Sequence, residues 1–214
     1  MESINFCSVC PQVFIHREDL DSELWKQNVE FKKGNTYLVE ADSGQGKSTF
    51  CSYVLGYRHD YQGVIKFDQQ DVKTFKVKDW TNIRLSHVSC LFQDLCLFPE
   101  LTAFENVEIK NRLTNHKSKG EILQWFEMMG IADKVDTQIG LMSFGQQQRV
   151  AMMRALVQPF DFIIADEPIS HLDVNNSHII GKVMMEEVGR QGAGVIVTSI
   201  GKRMDLQYDY TIRL

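Results

Sequence analysis

The sequence predicts an α/β fold built on a mainly parallel β-sheet, and three observations support this prediction. First, residues 162–165 and 195–198 are apolar runs without polar alternation, which is typical of strands covered on both faces. Second, the intervening stretch 174–188 repeats apolar residues at helical spacing. Third, a glycine-rich turn joins an apolar run at 36–39 to a helix that begins near Lys47. Strands that alternate with helices favour parallel pairing.

The remaining strands are predicted from short apolar runs at residues 64–67, 88–92 and 210–214. Cys7 and Cys10, near the amino terminus, form a Cys-x-x-Cys. This pair can be read as half of a zinc or redox site, or as small apolar residues of the first strand. The sequence offers no second ligand pair, which favours the strand reading. The five cysteines are odd in number and scattered, as expected in a reducing compartment.

Residues 95–149 depart from the strand–helix alternation and predict a helical insertion. Helical spacing covers residues 103–112, 119–129 and 144–157, with no strand candidate between them. We therefore predict one domain, residues 1–214, made of two parts. These are an α/β core of residues 1–94 and 150–214, and a helical subdomain of residues 95–149.

The composition argues against two classes of protein. A net charge of -5 and a pI near 5.7 disfavour a general nucleic-acid binder, so we expect no nucleic-acid partner. No apolar run approaches the roughly 18 residues that span a bilayer. The amino-terminal residues 1–6 lack the basic start and apolar stretch of a signal peptide. We therefore expect a cytoplasmic protein whose role at a membrane, if it has one, depends on a partner.

The segment 41–49, Ala-Asp-Ser-Gly-Gln-Gly-Lys-Ser-Thr, predicts a loop that binds the phosphates of ATP. Its glycines let the backbone N–H groups approach an anion at the start of the following helix. Lys47 would lie between the β- and γ-phosphates, and the hydroxyl of Ser48 would ligate Mg²⁺. The full pattern has glycine at position 41, and Ala41 impairs the loop only if it needs a positive φ. The predicted nucleotide-binding residues are Ser43, Gly44, Gln45, Gly46, Lys47, Ser48 and Thr49.

Two carboxylates, Asp166 and Glu167, end the buried strand predicted at 162–165. Ligands bind open α/β sheets at such strand ends. Asp166 is suited to hold Mg²⁺, and Glu167 to orient or deprotonate the attacking water. An isolated Asp-Glu can simply mark the end of a strand. A phosphate loop upstream in the same chain instead favours a site for ATP hydrolysis with Mg²⁺.

Further motifs give the chain a resemblance to one family along essentially its whole length. Residues 141–149, Leu-Met-Ser-Phe-Gly-Gln-Gln-Gln-Arg, resemble the signature sequence of ATP-binding cassette (ABC) proteins. Gln93 resembles the family's Q-loop, and residues 170–173, Ser-His-Leu-Asp, resemble its D-loop. The resemblance implies a P-loop NTPase core with a mainly parallel sheet, an antiparallel β subdomain near the amino terminus and a helical insertion.

The resemblance also implies an ATPase that works as a head-to-tail homodimer with two ATP molecules at its interface. Ser143, Gly145 and Gln146 would contact the nucleotide held by the opposite subunit. Gln93 would contact Mg²⁺ and the attacking water, and Asp173 would touch the partner's phosphate loop.

One aromatic residue upstream of the phosphate loop leaves two readings open. Phe14 stands where the family resemblance places a ring that stacks on adenine. A phenylalanine buried in the core is the alternative.

Two further departures from the family pattern concern hydrolysis. Phe144 replaces the first signature glycine, and Ser199 stands where the family usually has a histidine that contacts the γ-phosphate. A serine cannot carry positive charge to the transition state, so we expect intact ATP binding and weakened hydrolysis. Losing one preorganised donor typically costs on the order of 10²–10³ in rate. The alternative is that residue 199 lies in a turn that tolerates either side chain.

The partner predicted from the resemblance is an integral-membrane permease. Residues 95–107, Leu-Cys-Leu-Phe-Pro-Glu-Leu-Thr-Ala-Phe-Glu-Asn-Val, look most like cassettes of the lipoprotein-release, macrolide-export and cell-division group. In the family this region receives a coupling helix of the permease, although the same residues could simply pack the insertion. The chain would then lie at the inner face of the cell membrane. The alternative function is a nucleotide-gated dimerising module with little turnover.

Overall fold

The structure is a computed structural model that describes residues 1–17, 20–42, 44–169 and 173–214. Its strands are β1 (Ser3–Pro11), β2 (Asn28–Lys32), β3 (Thr36–Glu40), β4 (Tyr61–Phe67), β5 (Gln70–Asp71), β6 (Val88–Leu91), β7 (Phe162–Asp166), β8 (Gly194–Ser199) and β9 (Tyr210–Arg213). Its α-helices are α1 (Lys47–Val54), α2 (Val77–Ser86), α3 (Ala103–Asn111), α4 (Lys119–Met128), α5 (Phe144–Leu156) and α6 (Val174–Gln191).

A five-stranded parallel sheet in the order β6-β7-β8-β3-β9 forms the centre of the fold. β7 and β8 are buried along their whole length, as the unbroken apolar runs predicted. The register pairs Glu40 with Ser199 and Asp166 with Thr198. The carboxyl ends of β3, β7 and β8 therefore meet at one edge of the sheet. The phosphate loop follows β3 at this edge, and the acidic pair begins with the last residue of β7.

A four-stranded antiparallel sheet, ordered β2-β1-β4-β5, packs beside the parallel sheet. Aromatic residues fill the space between the two sheets, with the rings of Phe6 and Phe50 5.3 Å apart. Cys7 and Cys10 lie on β1, where its register against β4 shifts, so the strand reading of these cysteines is confirmed. Gly63 of β4 lies opposite that shift. It has a φ of +86°, and a Cβ there would come within 2.4 Å of the Ser8 carbonyl oxygen.

The helices predicted at 103–112, 119–129 and 144–157 are present, each one residue shorter at its carboxyl end. All three begin with a capping box, in which a Ser or Thr accepts from the third residue and a Glu or Gln returns the bond. Helix α5 runs without a break across the predicted boundary at 149/150. Its buried face joins the insertion to one apolar core with the sheet and α6. The division into subdomains stays a prediction.

The fold class is confirmed: a parallel sheet, an antiparallel sheet near the amino terminus and a set of helices after β6. The sequence did not predict α2, β2 or β5. Helix α2 buries only Trp80 and Ile83, so its apolar spacing is weak. Among the described residues, no helix is both long and apolar enough to cross a membrane.

Candidate functional site

A cleft of about 340 Å³ opens at the carboxyl edge of the parallel sheet. It brings together residues from the phosphate loop, the Q-loop and the acidic pair, as their positions at strand ends predicted. The residues that line it are Val13, Phe14, Gly44, Gly46, Lys47, Ser48, Thr49, Gln93, Glu167 and Ile200.

The glycines of the phosphate loop adopt conformations that favour glycine. Gly44 has a φ of +82°, and Gly46, which precedes α1, has a φ of +101°. A Cβ on Gly46 would come within 3.0 Å of the Phe14 ring and 3.2 Å of the Trp25 ring. The indole N–H of Trp25 donates to the Gln45 carbonyl at 3.1 Å. The loop therefore rests on two buried rings, and its path depends on the absence of a side chain at position 46.

The predicted phosphate loop also includes Ala41 and Ser43. Ala41 does not have a positive φ, so the alanine in place of glycine does not strain the loop. Its backbone N–H donates to the Ser199 carbonyl at 3.2 Å. Ser43 lies outside the described residues.

Lys47 places its ammonium group inside the loop. The residue is only 6% exposed, and its Nζ donates to the carbonyl oxygens of Ala41 at 3.2 Å and Asp42 at 3.5 Å. The same Nζ lies 3.8 Å from Oε1 of Glu167. The phosphate loop and the acidic strand end therefore meet at this lysine. A buried cation surrounded by backbone groups is suited to phosphate oxygens.

Asp166 ends β7 and is 7% exposed. Burial raises the pKa of its carboxyl group, while the hydroxyl of Thr198 and the charge of Lys47 oppose this shift. The Thr198 hydroxyl donates to Oδ1 of Asp166, which fixes the orientation of the carboxylate. Sequence reasoning missed Thr198, although its place at the end of the neighbouring strand could have indicated it. A carboxylate that burial disfavours in its charged form is suited to a nearby cation.

Glu167 has a left-handed backbone conformation, with a φ of +50°. Its N–H donates to the Thr198 carbonyl at 3.2 Å, which holds this conformation. A non-glycine residue in this region costs of order 1–3 kcal/mol, and such residues cluster at functional sites. Here the turn directs the Glu167 side chain into the cleft, toward Lys47.

The signature residues lie at the amino terminus of α5 and do not line the cleft. Ser143 Oγ accepts from the Gln146 N–H at 3.4 Å, and Gln146 Oε1 accepts from the Ser143 N–H at 2.9 Å. Phe144 is 43% exposed, and Gly145 is half-buried. The predicted signature residues are therefore not part of the cleft of their own chain.

Asp173 caps α6, with its Oδ1 accepting from the Asn176 N–H at 2.8 Å. The side-chain amide of Asn176 donates to the other oxygen of Asp173 and accepts from Arg149 of α5. Arg149 also donates to the Met129 carbonyl at 2.9 Å. Asp173 is therefore connected to the signature helix through Asn176, and no sequence pattern indicated this link. The rest of the predicted D-loop, residues 170–172, lies outside the described residues.

Ser199 lies at the end of β8 and is 3% exposed. Its hydroxyl donates to the Lys202 carbonyl. The side chain is therefore engaged in the turn after β8, and its proposed contact with nucleotide stays a prediction. Ile200, the next residue, is 46% exposed and lines the cleft.

Phe14 lines the cleft but is only 7% exposed, and it belongs to the aromatic core between the sheets. The guanidinium of Arg17 lies 5.5 Å from the centre of its ring. The buried-core reading of Phe14 is therefore favoured by its environment. Its neighbour Val13 is 66% exposed and lines the same cleft, which sequence reasoning missed because valine carries no ring.

Comparisons with known proteins agree with this geometry. A family model described as ABC transporter matches residues 24–170. An uncharacterized ABC transporter ATP-binding protein of Bacillus subtilis, YclH, is 34% identical over 191 residues, covering 87% of this chain and 83% of the relative. The cell division ATP-binding protein FtsE of Bacillus subtilis is 30% identical over 180 residues, covering 83% and 78%.

A solved structure supports the same assignment. The ATP-binding cassette MJ0796, as a dimer in a post-hydrolysis state bound to ADP and Pi, superposes with a TM-score of 0.76 at 26% identity. The match covers 92% of this chain and 87% of that one. The chain therefore belongs to the ABC transporter family of ATP-binding proteins.

Proposed function

We propose that this chain is the ATP-hydrolysing subunit of a membrane transport complex. The observation that carries the proposal is the meeting of Lys47 and Glu167, whose charged atoms lie 3.8 Å apart in the cleft. One residue is suited to the phosphates and the other to the attacking water, and both face the same space.

The residues of the cleft would have separate roles in ATP hydrolysis. Lys47 and the loop backbone would hold the phosphates, and Oε1 of Glu167 would orient the water and accept its proton. Gln93 lines the same cleft, where it would contact the same water.

A divalent cation fits the oxygen donors at the carboxyl edge of the parallel sheet. Ser48 and Gln93 line the cleft, and Asp166 is buried with one oxygen fixed by Thr198. Hydroxyl, amide and carboxylate oxygens are the ligands that Mg²⁺ prefers. When bound, Mg²⁺ would neutralise negative charge on the phosphate oxygens.

A second copy of the chain would complete the site. Ser143, Gly145 and Gln146 are at the start of an α-helix, where free N–H groups and the helix dipole favour an anion. Because they lie outside the cleft of their own chain, we infer that they serve the nucleotide of a partner. Asp173 would touch the partner's phosphate loop. The dimeric MJ0796 cassette supports this arrangement.

The partner outside the dimer would be an integral-membrane permease. The relatives named as ABC transporter ATP-binding proteins, and FtsE as a cell-division protein, support this inference. The chain would then act at the inner face of the cell membrane, and ATP binding and hydrolysis would change the state of the permease.

One observation favours a second candidate, a nucleotide-gated dimer with little turnover. Ser199 carries no charge and its hydroxyl already donates to the Lys202 carbonyl, so it offers the transition state neither a cation nor a free donor.

Steady-state ATP hydrolysis tests the proposal, measured with and without the permease reconstituted in lipid. We expect measurable turnover that Glu167→Gln reduces on the order of 10²-fold or more while ATP binding persists. Glu186→Gln, an exposed carboxylate on α6, is the matched control and should leave turnover unchanged. Undetectable turnover of the wild-type complex, with ATP-dependent dimerisation retained, would establish the second candidate instead.

A further inference from the structure

Phe144 is the first residue of α5, and it carries an exposed aromatic ring. It stands between Ser143 and Gly145, the two residues proposed to contact the γ-phosphate held by a second copy. The residue is 43% exposed and does not line the cleft of its own chain. Because its two neighbours would face the partner's nucleotide, the ring enters the same interface as they do.

Ile200 is an exposed apolar residue at the catalytic end of the nucleotide cleft. It is 46% exposed, and it lines the cleft together with Glu167. The same two residues also line a neighbouring pocket of about 190 Å³, which Val13 does not line. Ile200 therefore lies on the side of the cleft where Glu167 would direct water to the γ-phosphate, and Val13 lies away from that side.

The turn after β8 fixes the position of Ile200. The Ser199 carbonyl accepts from the Ala41 N–H at 3.2 Å, and the Ser199 hydroxyl donates to the Lys202 carbonyl. Gly201 has a φ of +76°, which lets the chain turn directly after Ile200. The backbone on both sides of Ile200 is thus held in place, and its side chain stays on the side of the cleft.

Phe144 and Ile200 belong to opposite halves of the composite nucleotide site. A single exposed apolar residue is ordinary on a protein surface. In the proposed dimer, however, the start of α5 lies over the γ-phosphate end of the partner's cleft, and Ile200 lies at that end. The ring of one copy and the isoleucine of the other therefore enter the same space, where contact would remove apolar surface of both residues from water.

We propose that Phe144 of one copy packs against Ile200 of the second copy and closes the composite site over the γ-phosphate. A two-fold dimer contains this contact twice. The apolar pair stabilises the ATP-bound dimer and excludes water from the rim of the site. The inference rests on the proposed function, since it takes an ATP-bound dimer of this chain as given, and it adds a cross-subunit contact that a glycine at position 144 could not make.

A double-mutant cycle tests the contact in the Glu167→Gln background, where ATP hydrolysis is expected to be suppressed. Sedimentation velocity measures ATP-dependent dimerisation of the full chain. Phe144→Ala and Ile200→Ala should each weaken dimerisation about tenfold or more, and the double variant should lose little more than the weaker-binding single variant. Phe144→Leu should show a smaller loss than Phe144→Ala, because leucine keeps an apolar side chain.

Val13 provides the matched control, because it is 66% exposed and lines the same cleft away from Ile200. The losses of dimerisation caused by Phe144→Ala and Val13→Ala should add when the two changes are combined. Calorimetry on the monomer should give the same ATP affinity for Phe144→Ala as for the parent chain, since residue 144 lies outside its own cleft.

A cross-link tests the proximity of the two residues directly. Phe144→Cys and Ile200→Cys are combined in a Cys96→Ser chain, because Cys96 is exposed. A short bismaleimide should join two copies of this variant only when ATP is present. Phe144→Cys combined with Tyr210→Cys, at an exposed residue of β9, should give no ATP-dependent cross-linked dimer.

The outcomes separate this inference from the proposed function. If ATP dimerises the Glu167→Gln chain and the losses from Phe144→Ala and Ile200→Ala simply add, the inference is wrong while the proposed function stands. Tighter dimerisation of Phe144→Ala would show that the ring holds the two copies apart, and it would overturn the inference in the same way. If ATP does not dimerise the Glu167→Gln chain, the proposed dimer is wrong and the contact is wrong with it.

Discussion

The two halves of the proposed nucleotide site differ in how firmly the single chain holds them. In the cleft, Lys47, Asp166 and Glu167 are buried or nearly so, and each is fixed by contacts from other strands or loops. At the start of α5, Ser143 and Gln146 are held only by their own capping box. The difference indicates that the cleft is preorganised in the monomer, whereas the proposed contacts of the signature end would form only on dimerisation.

The largest effect is expected from Gly46→Ala in the cleft. This change combines a φ of +101° with a Cβ only 3.0 Å from the buried Phe14 ring, so the loop must shift. ATP affinity should fall about 100-fold, as measured by calorimetry on the monomeric chain. Gly44→Ala is the matched control, because its φ of +82° is also strained but nothing lies within 4 Å of the added Cβ. Equal losses for the two variants would show that the contact with Phe14 does not matter.

At the signature end, Ser143→Ala should leave ATP affinity of the monomer unchanged and reduce ATP-dependent dimerisation about 30-fold. The partner's γ-phosphate would lose its hydrogen bond from this hydroxyl. This loss adds to the local cost of about 1 kcal/mol for removing an N-cap. Sedimentation velocity with ATP in the Glu167→Gln background measures this effect.

Ser118→Ala is the control for that experiment, because Ser118 caps α4 with the same type of capping box. Both variants should lose similar stability to unfolding, but only Ser143→Ala should impair dimerisation. An equal loss of ATP-dependent dimerisation in the two variants would show that Ser143 acts only as a helix cap.

The serine at position 199, where the family usually has a histidine, is expected to limit hydrolysis. Ser199→His should raise ATP turnover about tenfold, since an imidazole could donate to the γ-phosphate. This gain in turnover is smaller than it would be if residue 199 were exposed. Ser199 is only 3% exposed, so the larger imidazole must displace the turn to Lys202. The same change in the Glu167→Gln background should give no gain. Unchanged turnover in both backgrounds would favour the reading of this strand end as a tolerant turn.

The sequence was a good guide to residues whose role depends on local pattern, and a poorer one to their tertiary contacts. The three helices of the insertion have signatures in spacing and residue type, and they were found where they were predicted. The phosphate loop and the acidic pair have such signatures too, and Lys47 and Glu167 line one cleft. By contrast, Val13 and Phe14 are adjacent in sequence, and only the packing of the short 3-10 helix Gln12–Phe14 against the phosphate loop decides which of them is exposed.

Most contacts between distant segments could not be read from the sequence. The hydrogen bonds that join Arg149, Asn176 and Asp173 depend on how α5 packs against α6. The acidic pair itself was predicted, but the positive φ of Glu167 and the hydroxyl bond to Asp166 follow from the register of β7 against β8. Such features depend on strand order, which propensity and spacing do not encode.

The smallest effect is expected from Thr198→Val, which keeps the shape of the side chain and removes the hydroxyl donor to Asp166. Burial already raises the pKa of Asp166, and the Thr198 hydroxyl opposes that rise. Its loss should raise the pKa further, so the carboxylate takes up a proton at higher pH and holds Mg²⁺ less well. The Mg²⁺ concentration needed for tight ATP binding should increase several-fold, and more so as the pH is lowered from 8 toward 6. Thr211→Val on the exposed edge strand β9 is the control, and a magnesium dependence equal in the two variants would remove Asp166 from the cation site.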